Sequence, residues 1–212
     1  MASSSPRCDL LIDGPARAPL TVVLAHGAGA GMEHPFMAAV ARGLADGGMR
    51  VARFEFPYMA ARRVDGRKRP PDRAPVLEDA FRDAIAATKA RNVVLAGKSM
   101  GARIAASLAG ELGARGLICL GYPFHAPGKP VGNRADALKS MTVPTLILQG
   151  SRDAFGTRAE VSRYRLAPRV RVHYLEDGDH SLKPRKASGR TEEQNIAEAV
   201  TEALAFLGGL AR

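Results

Sequence analysis

Short runs of Val, Ile and Leu alternate along this chain with longer stretches in which apolar residues recur every three or four positions. A run that is apolar at every position predicts a strand buried on both faces, and the 3.6-residue period predicts the helices that cover it. On this pattern strands fall at Leu20–Ala25, Arg50–Phe54, Asn92–Ala96, Gly116–Leu120, Thr145–Gln149 and Val170–Leu175, with a short edge strand at Asp9–Ile12. Helices fall at Pro35–Ala45, Val76–Lys89, Met100–Leu112, Arg158–Arg165 and Glu192–Leu207. Such alternation predicts an α/β fold with a mostly parallel central sheet of six or seven strands and helices on both faces.

Two stretches break the alternation. Pro57–Pro75 carries four prolines, Gly66 and the cations Arg62, Arg63, Arg67, Lys68, Arg69 and Arg73, and reads as a long loop. Tyr122–Asn133, rich in proline and glycine, reads as a second. No internal repeat is visible.

Composition narrows the class. At 212 residues the chain has the length of one domain. We expect that domain over 9–212, behind a disordered tail at 1–8. Hydrophobic residues make up 46% and charged residues 25%, the balance of an ordinary globular chain. Met1–Arg7 lacks the apolar core of a secretory signal and no later run is long enough to span a membrane, so a cytoplasmic protein without a membrane partner is expected. Cys8 and Cys119 show neither disulfide-framework nor zinc spacing, and Cys119 reads as a small hydrophobe inside a strand. The net charge of +10 would suit a polyanion. Arginine supplies most of that excess beside abundant alanine, as in a GC-rich genome, and no nucleic-acid-binding motif accompanies it. Nucleic acid is therefore not expected as a partner.

The chemistry begins at Gly97-Lys98-Ser99-Met100-Gly101. This G-x-S-x-G follows an apolar strand and precedes a pattern in which Ile104, Leu108 and Leu112 recur at every fourth position. Strand, sharp turn and helix are the context of a nucleophile elbow, where two glycines remove β-carbons that would collide. A glycine-flanked serine capping a helix is the plainer reading. The context favours the elbow.

A serine hydroxyl is a weak nucleophile at neutral pH and needs a base, which in turn needs an acceptor to fix its tautomer. Asp153 follows the strand Thr145–Gln149, and His180 follows Val170–Leu175. Both loops leave the same edge of a parallel sheet as Ser99. Asp177 and Asp179 compete for the acid's role, but their nearness to His180 in the chain suits turn formers or caps. An oxyanion needs two N–H donors. Met100 supplies one, and the other should come from His26-Gly27-Ala28-Gly29-Ala30-Gly31, with Ala28 the first choice and Gly29 the second. Phosphate-loop spacings are missing from that segment.

With these parts in place the chain resembles the α/β-hydrolase superfamily over nearly its whole length. Its HGAGAG, FPY, GKSMG, GYP, QGSRD and GDHSLK segments are similar to small cap-less hydrolase-like proteins, among them testis-expressed and NSL-complex subunits, and to dienelactone hydrolases. The resemblance implies an α/β-hydrolase fold, with Ser99, Asp153 and His180 on the triad positions. Larger relatives insert a helical cap at the Tyr122–Asn133 stretch, for which there is no room here. The resemblance names no substrate, since that narrow family includes members that act as partners rather than catalysts.

Other residues invite a role. His26 opens the glycine loop and reads as its shaper rather than a base. His34, His125 and His173 have no carboxylate or cysteine at ligand spacing, so no metal is expected. Lys98 either stabilises negative charge beside Ser99 or points into solvent. Arg62, Arg63, Arg67, Lys68 and Arg69 either overhang the site as contacts for an anionic substrate or face water.

The expected function is that of a serine esterase or thioesterase, acting on a small-molecule carboxylic ester or thioester through an acyl-Ser99 intermediate, without a cofactor. The rival is a catalytically silent module binding a protein or nucleic acid through its basic surface. Three dispersed triad residues standing intact argue against silence. The sequence sets no oligomeric state.

Overall fold

In the computed structural model, which describes residues 9–129 and 132–211, the apolar runs are strands and the periodic stretches are helices. The tail expected at 1–8 lies outside the described residues. In chain order the elements are β1 (Leu10–Asp13), β2 (Thr21–Ala25), α1 (Pro35–Asp46), β3 (Arg50–Phe54), α2 (Pro57–Asp65), α3 (Ala74–Thr88), β4 (Val93–Lys98) and α4 (Met100–Leu108). There follow β5 (Gly116–Leu120), α5 (Asp136–Lys139), β6 (Thr145–Gly150), α6 (Arg158–Val161), β7 (Val170–Leu175) and α7 (Glu192–Leu210).

Seven strands form one sheet in the order β1-β3-β2-β4-β5-β6-β7. Only β1 is antiparallel, pairing Leu10 with Phe54 and Asp13 with Val51 on β3. The four central strands β2, β4, β5 and β6 carry side chains into both faces with the two-residue period of a strand. Val23, Ala25, Leu95, Leu117, Cys119 and Ile147 face the core beneath α2, α3 and α4. Val22, Leu24, Val94, Ala96, Ile118, Leu120, Leu146 and Leu148 face the core beneath α1 and α7. Burial on both sides is why these strands read as continuous apolar runs.

The stretch Pro57–Pro75 corrects the expectation of a loop. Its first half is α2, and its end is the first turn of α3. Pro57 and Pro75 start helices rather than prevent them, because a first-turn residue needs no N–H and the ring presets φ. Tyr58 and Met59 drive into the core, and Gly66, at φ 72°, closes α2 with its N–H on the Arg62 carbonyl. Only 66–73 is without regular structure. α4 ends four residues before its expected limit, in turns that lead to Gly113 at φ 59°. α6 is a single turn, whereas α7 runs three residues further than expected.

Between β5 and β6 the described residues hold a three-residue 3₁₀ turn and the one-turn α5, and no cap. Among the described residues no helix is long and apolar enough to cross a membrane.

Candidate active site

The loops after β2, β4, β6 and β7 leave the carboxyl edge of the sheet together, and they carry the residues singled out in the sequence. β4 runs two residues beyond its expected end and delivers Ser99 on a backbone with φ 54° and ψ −112°. That is strained for a residue with a β-carbon. Its N–H is held by the Leu120 carbonyl at 3.1 Å. A β-carbon on Gly97 would collide with the backbone of Gly101 and Ala102, and one on Gly101 would stand 2.6 Å from the His26 carbonyl. The close approach of β4, α4 and β2 thus requires glycine at both positions.

Ser99, His180 and Asp153 form a continuous chain. Oγ of Ser99 lies 2.7 Å from Nε2 of His180, and Nδ1 of His180 lies 2.8 Å from Oδ2 of Asp153. A carboxylate can only accept, so Nδ1 carries the proton and Nε2 is left to accept from the serine hydroxyl. Asp153 is fully buried, and its other oxygen accepts the Phe155 N–H at 2.8 Å. The Phe155 ring stacks on the imidazole with centroids 4.3 Å apart. Such an arrangement can pass a proton from a hydroxyl to an imidazole whose charge is stabilised from behind.

The competing acids do other work. Asp179 accepts the N–H groups of Ser181 and Lys183. Asp177 is gripped by Arg152 and Arg185 and accepts the Arg185 N–H at 2.7 Å. These guanidinium contacts hold its carboxyl at about 2. Both stabilise the loop on which His180 rides. Asn195 of α7, wholly buried, adds hydrogen bonds to the carbonyls of Glu176 and Leu182.

Ser99 and His180 open into a cleft of about 330 Å³ lined by Ala28, Gly29, Phe36, Met37, Lys98 and Phe155 among others. Met100 does not line it, but its amide opens α4 directly after Ser99, where helical N–H groups have no partner within the helix. The glycine loop is fixed from behind. Burial pushes the His26 pKa down, keeping the ring neutral; its Nδ1 meets the Gly27 carbonyl at 2.7 Å and its Nε2 accepts the Phe56 N–H at 3.0 Å. The Tyr58 hydroxyl donates to the Gly27 and Ala28 carbonyls at 3.2 and 3.1 Å.

A second cleft of about 410 Å³ adjoins the first, sharing Gly29, Ala30 and His34. Arg62 and Arg63 line it, with Glu33 and Glu55. Arg63 is paired with Glu55 at 2.8 Å, and Arg69 with Asp65. Arg67, Lys68 and Arg69 line neither cleft. His34 caps α1 at the mouth, His125 is buried beside Ala126, and His173 pairs with Glu198 on the far side of the sheet's edge. Among the described residues no group of three or more His, Cys, Asp or Glu could hold a metal ion.

The sequence did not point to Gln149, whose side-chain amide donates to Oδ2 of Asp153 at 2.9 Å, nor to the clamp by Tyr58 or the Arg152–Asp177–Arg185 network. The apolar run Leu146–Leu148 followed by a glutamine was the one signal for the first.

A family model for alpha/beta hydrolase domains matches residues 18–208. A dienelactone hydrolase from Anabaena variabilis superposes with a TM-score of 0.74 at 18% identity, over 98% of this chain and 94% of that one. An alpha-beta serine hydrolase homologue from Coxiella burnetii gives 0.69 at 20% identity, over 92% and 90%. A lidless a/b serine hydrolase from Xanthomonas campestris gives 0.65 at 20% identity, over 92% and 88%. At these identities the three structures share the fold.

Proposed function

The chain belongs to the α/β-hydrolase family, and on that premise we propose that it is a serine hydrolase that cleaves a carboxylic ester or thioester through an acyl-Ser99 intermediate. The observation that carries this reading is the unbroken chain from Ser99 Oγ through His180 to the buried Asp153, with both links at 2.7–2.8 Å. His180 takes the serine proton as Oγ attacks the carbonyl carbon, and gives it to the departing alcohol or thiol. Asp153 stabilises the imidazolium without taking the proton itself. Water then attacks the acyl-enzyme by the same route and frees the acid.

The oxyanion of each tetrahedral intermediate would be bound by the amide of Met100 and that of Ala28, with Gly29 as the alternative donor. Clamping of the Gly27 and Ala28 carbonyls by Tyr58 supports this assignment, since a rigid loop presents its amides without reorganisation. Phe36, Met37 and Phe155 give the cleft apolar walls suited to a small acyl or alkyl group. The Coxiella alpha-beta serine hydrolase homologue and the lidless Xanthomonas a/b serine hydrolase accord with this reading.

The test is reaction with a fluorophosphonate probe followed by mapping of the labelled residue. Label on Ser99, lost in Ser99→Ala and His180→Ala, is the expected result. Folded protein that takes no label would overturn the reading and favour the silent module.

A further inference from the structure

Lys98 immediately precedes Ser99, yet the residue is only 9% exposed. Its Nζ donates to the main-chain carbonyl of His180 at 2.7 Å and stands 5.9 Å from the centre of the Phe36 ring on α1. An ideal β-carbon on Gly121 would lie 3.2 Å from this Nζ and 3.4 Å from Nδ1 of His180. The ammonium is therefore packed against Gly121 and bound to the backbone that carries the imidazole. Burying a cation costs free energy, and a lysine placed on solvent would avoid that cost.

From this geometry we propose that Lys98 is a positioning residue for the Ser99 site: its ammonium fixes the main chain of His180 and so holds the imidazole between Ser99 and Asp153. The inference rests on the reading of Ser99 as the nucleophile. The charge-assisted bond restrains the main chain that carries the imidazole, and with it the ring's place between Ser99 and Asp153. The charged groups acting on Nζ are Asp153 from the loop after β6 and Asp179 from the loop after β7. Phe36 and Gly121 complete its surroundings.

Burial brings the Lys98 pKa down to about 8, partly offset by Asp153 and Asp179. The ammonium is thus present below about pH 8 and lost above it. A neutral amine is a weaker donor, so turnover by the wild type should decline as pH rises through this value.

Lys98→Met is close to lysine in shape, without donor or charge. It should lower kcat on the order of tenfold, the worth of one charge-assisted hydrogen bond, while KM stays near the wild-type value. Lys98→Arg should restore turnover and abolish the decline above pH 8, since guanidinium does not titrate there. The decisive readout is the exchange with water of the His180 Nδ1 proton, followed by NMR in Ser99→Ala and in Ser99→Ala with Lys98→Met. It needs no turnover, so it judges Lys98 independently of whether Ser99 takes a fluorophosphonate label. Faster exchange in the double variant, as the imidazole comes loose from Asp153, supports the proposal; the same exchange rate in both proteins overturns it.

Discussion

Gln149 and His180 meet on a single oxygen of Asp153: Nε2 of Gln149 donates to Oδ2 at 2.9 Å, and Nδ1 of His180 faces the same atom at 2.8 Å. Gln149 is wholly buried at the end of β6, and its amide also joins the Tyr122 N–H and the carbonyls of Tyr122 and Gly156. One side chain thus fixes the carboxylate and the turn after β5. In Gln149→Glu the carboxyl cannot donate to Asp153 when ionised, and two buried carboxyl groups would face each other. The like charge and burial raise the pKa of one of them. Its contribution to stability is intact below about pH 4.3 and is lost as pH rises through the raised value. We expect a urea midpoint near that of the wild type at pH 4 that falls steadily toward pH 8. Parallel profiles for the two proteins would show that Gln149 does not fix Asp153.

Asp153 and Asp177 should separate turnover from stability. Asp153→Asn keeps the shape but cannot hold the histidine tautomer, so kcat should fall by on the order of 10⁴-fold with the fold intact. Asp177→Asn should leave turnover nearly unchanged. Its carboxyl is held at about 2 by Arg185 and Arg152, below the unfolded value of 3.8. The depressed pKa gives the wild type stability that is present above the unfolded value and is lost as pH falls from about 4 toward 2. Thermal melts across that window should therefore be steeper in pH for wild type than for Asp177→Asn. The reverse pattern of kinetic losses would transfer the acid's role to Asp177.

The Tyr58 hydroxyl is the donor that ties α2 to the glycine loop, and it lies beneath that loop rather than in the cleft. Burial and Asp72 push its pKa up to about 12, so it donates throughout the working pH range. Tyr58→Phe removes the bonds to the Gly27 and Ala28 carbonyls and lets the proposed oxyanion donors drift. We expect kcat to drop on the order of tenfold, KM to hold, and stability to fall by about 1 kcal/mol. A rise in KM at constant kcat would mean that the loop binds substrate and does not stabilise the transition state.

The central strands were legible because burial on both faces leaves no polar position to interrupt Val22–Ala25 or Leu117–Leu120. Ser99, Asp153 and His180 could be singled out because each follows a strand of the parallel sheet, which gathers its loops at one edge. α2 was not legible. Its exposed side carries Arg63, Val64 and Asp65, its contribution to the core is only Tyr58 and Met59, and the four prolines of Pro57–Pro75 read as breakers although Pro57 and Pro75 occupy first helical turns. Proline followed by glycine nine residues later was the available signal. The Asp177 pairs with Arg152 and the Gln149 pair with Tyr122 join residues 25 and 27 positions apart, which no local pattern records.

The basic segment is where the structure sharpens an expectation that the sequence left undivided. Arg62, Arg63, Arg67, Lys68 and Arg69 were one group in the sequence, and the fold separates them. Arg63 is neutralised by Glu55 and Arg69 by Asp65, while Arg67 and Lys68 lie beyond the end of α2 and line neither cleft. Arg62 remains, its guanidinium 3.4 Å from the Gly29 carbonyl on the wall between the two clefts. A cation at the mouth of a low-dielectric cleft raises the local concentration of an anionic substrate and leaves a neutral one unaffected. Arg62→Gln alone should then lower kcat/KM for an anionic ester several-fold relative to a neutral ester of equal size, and Arg67→Gln with Lys68→Gln should change the ratio little. The wild-type ratio should also shrink as salt rises from about 0.15 M, where the Debye length is about 8 Å, to 1 M, where it is about 3 Å. If all three substitutions lower the ratio equally, the effect belongs to net charge and Arg62 has no special place. A ratio unmoved by salt and by every substitution would leave the whole segment as solvated surface.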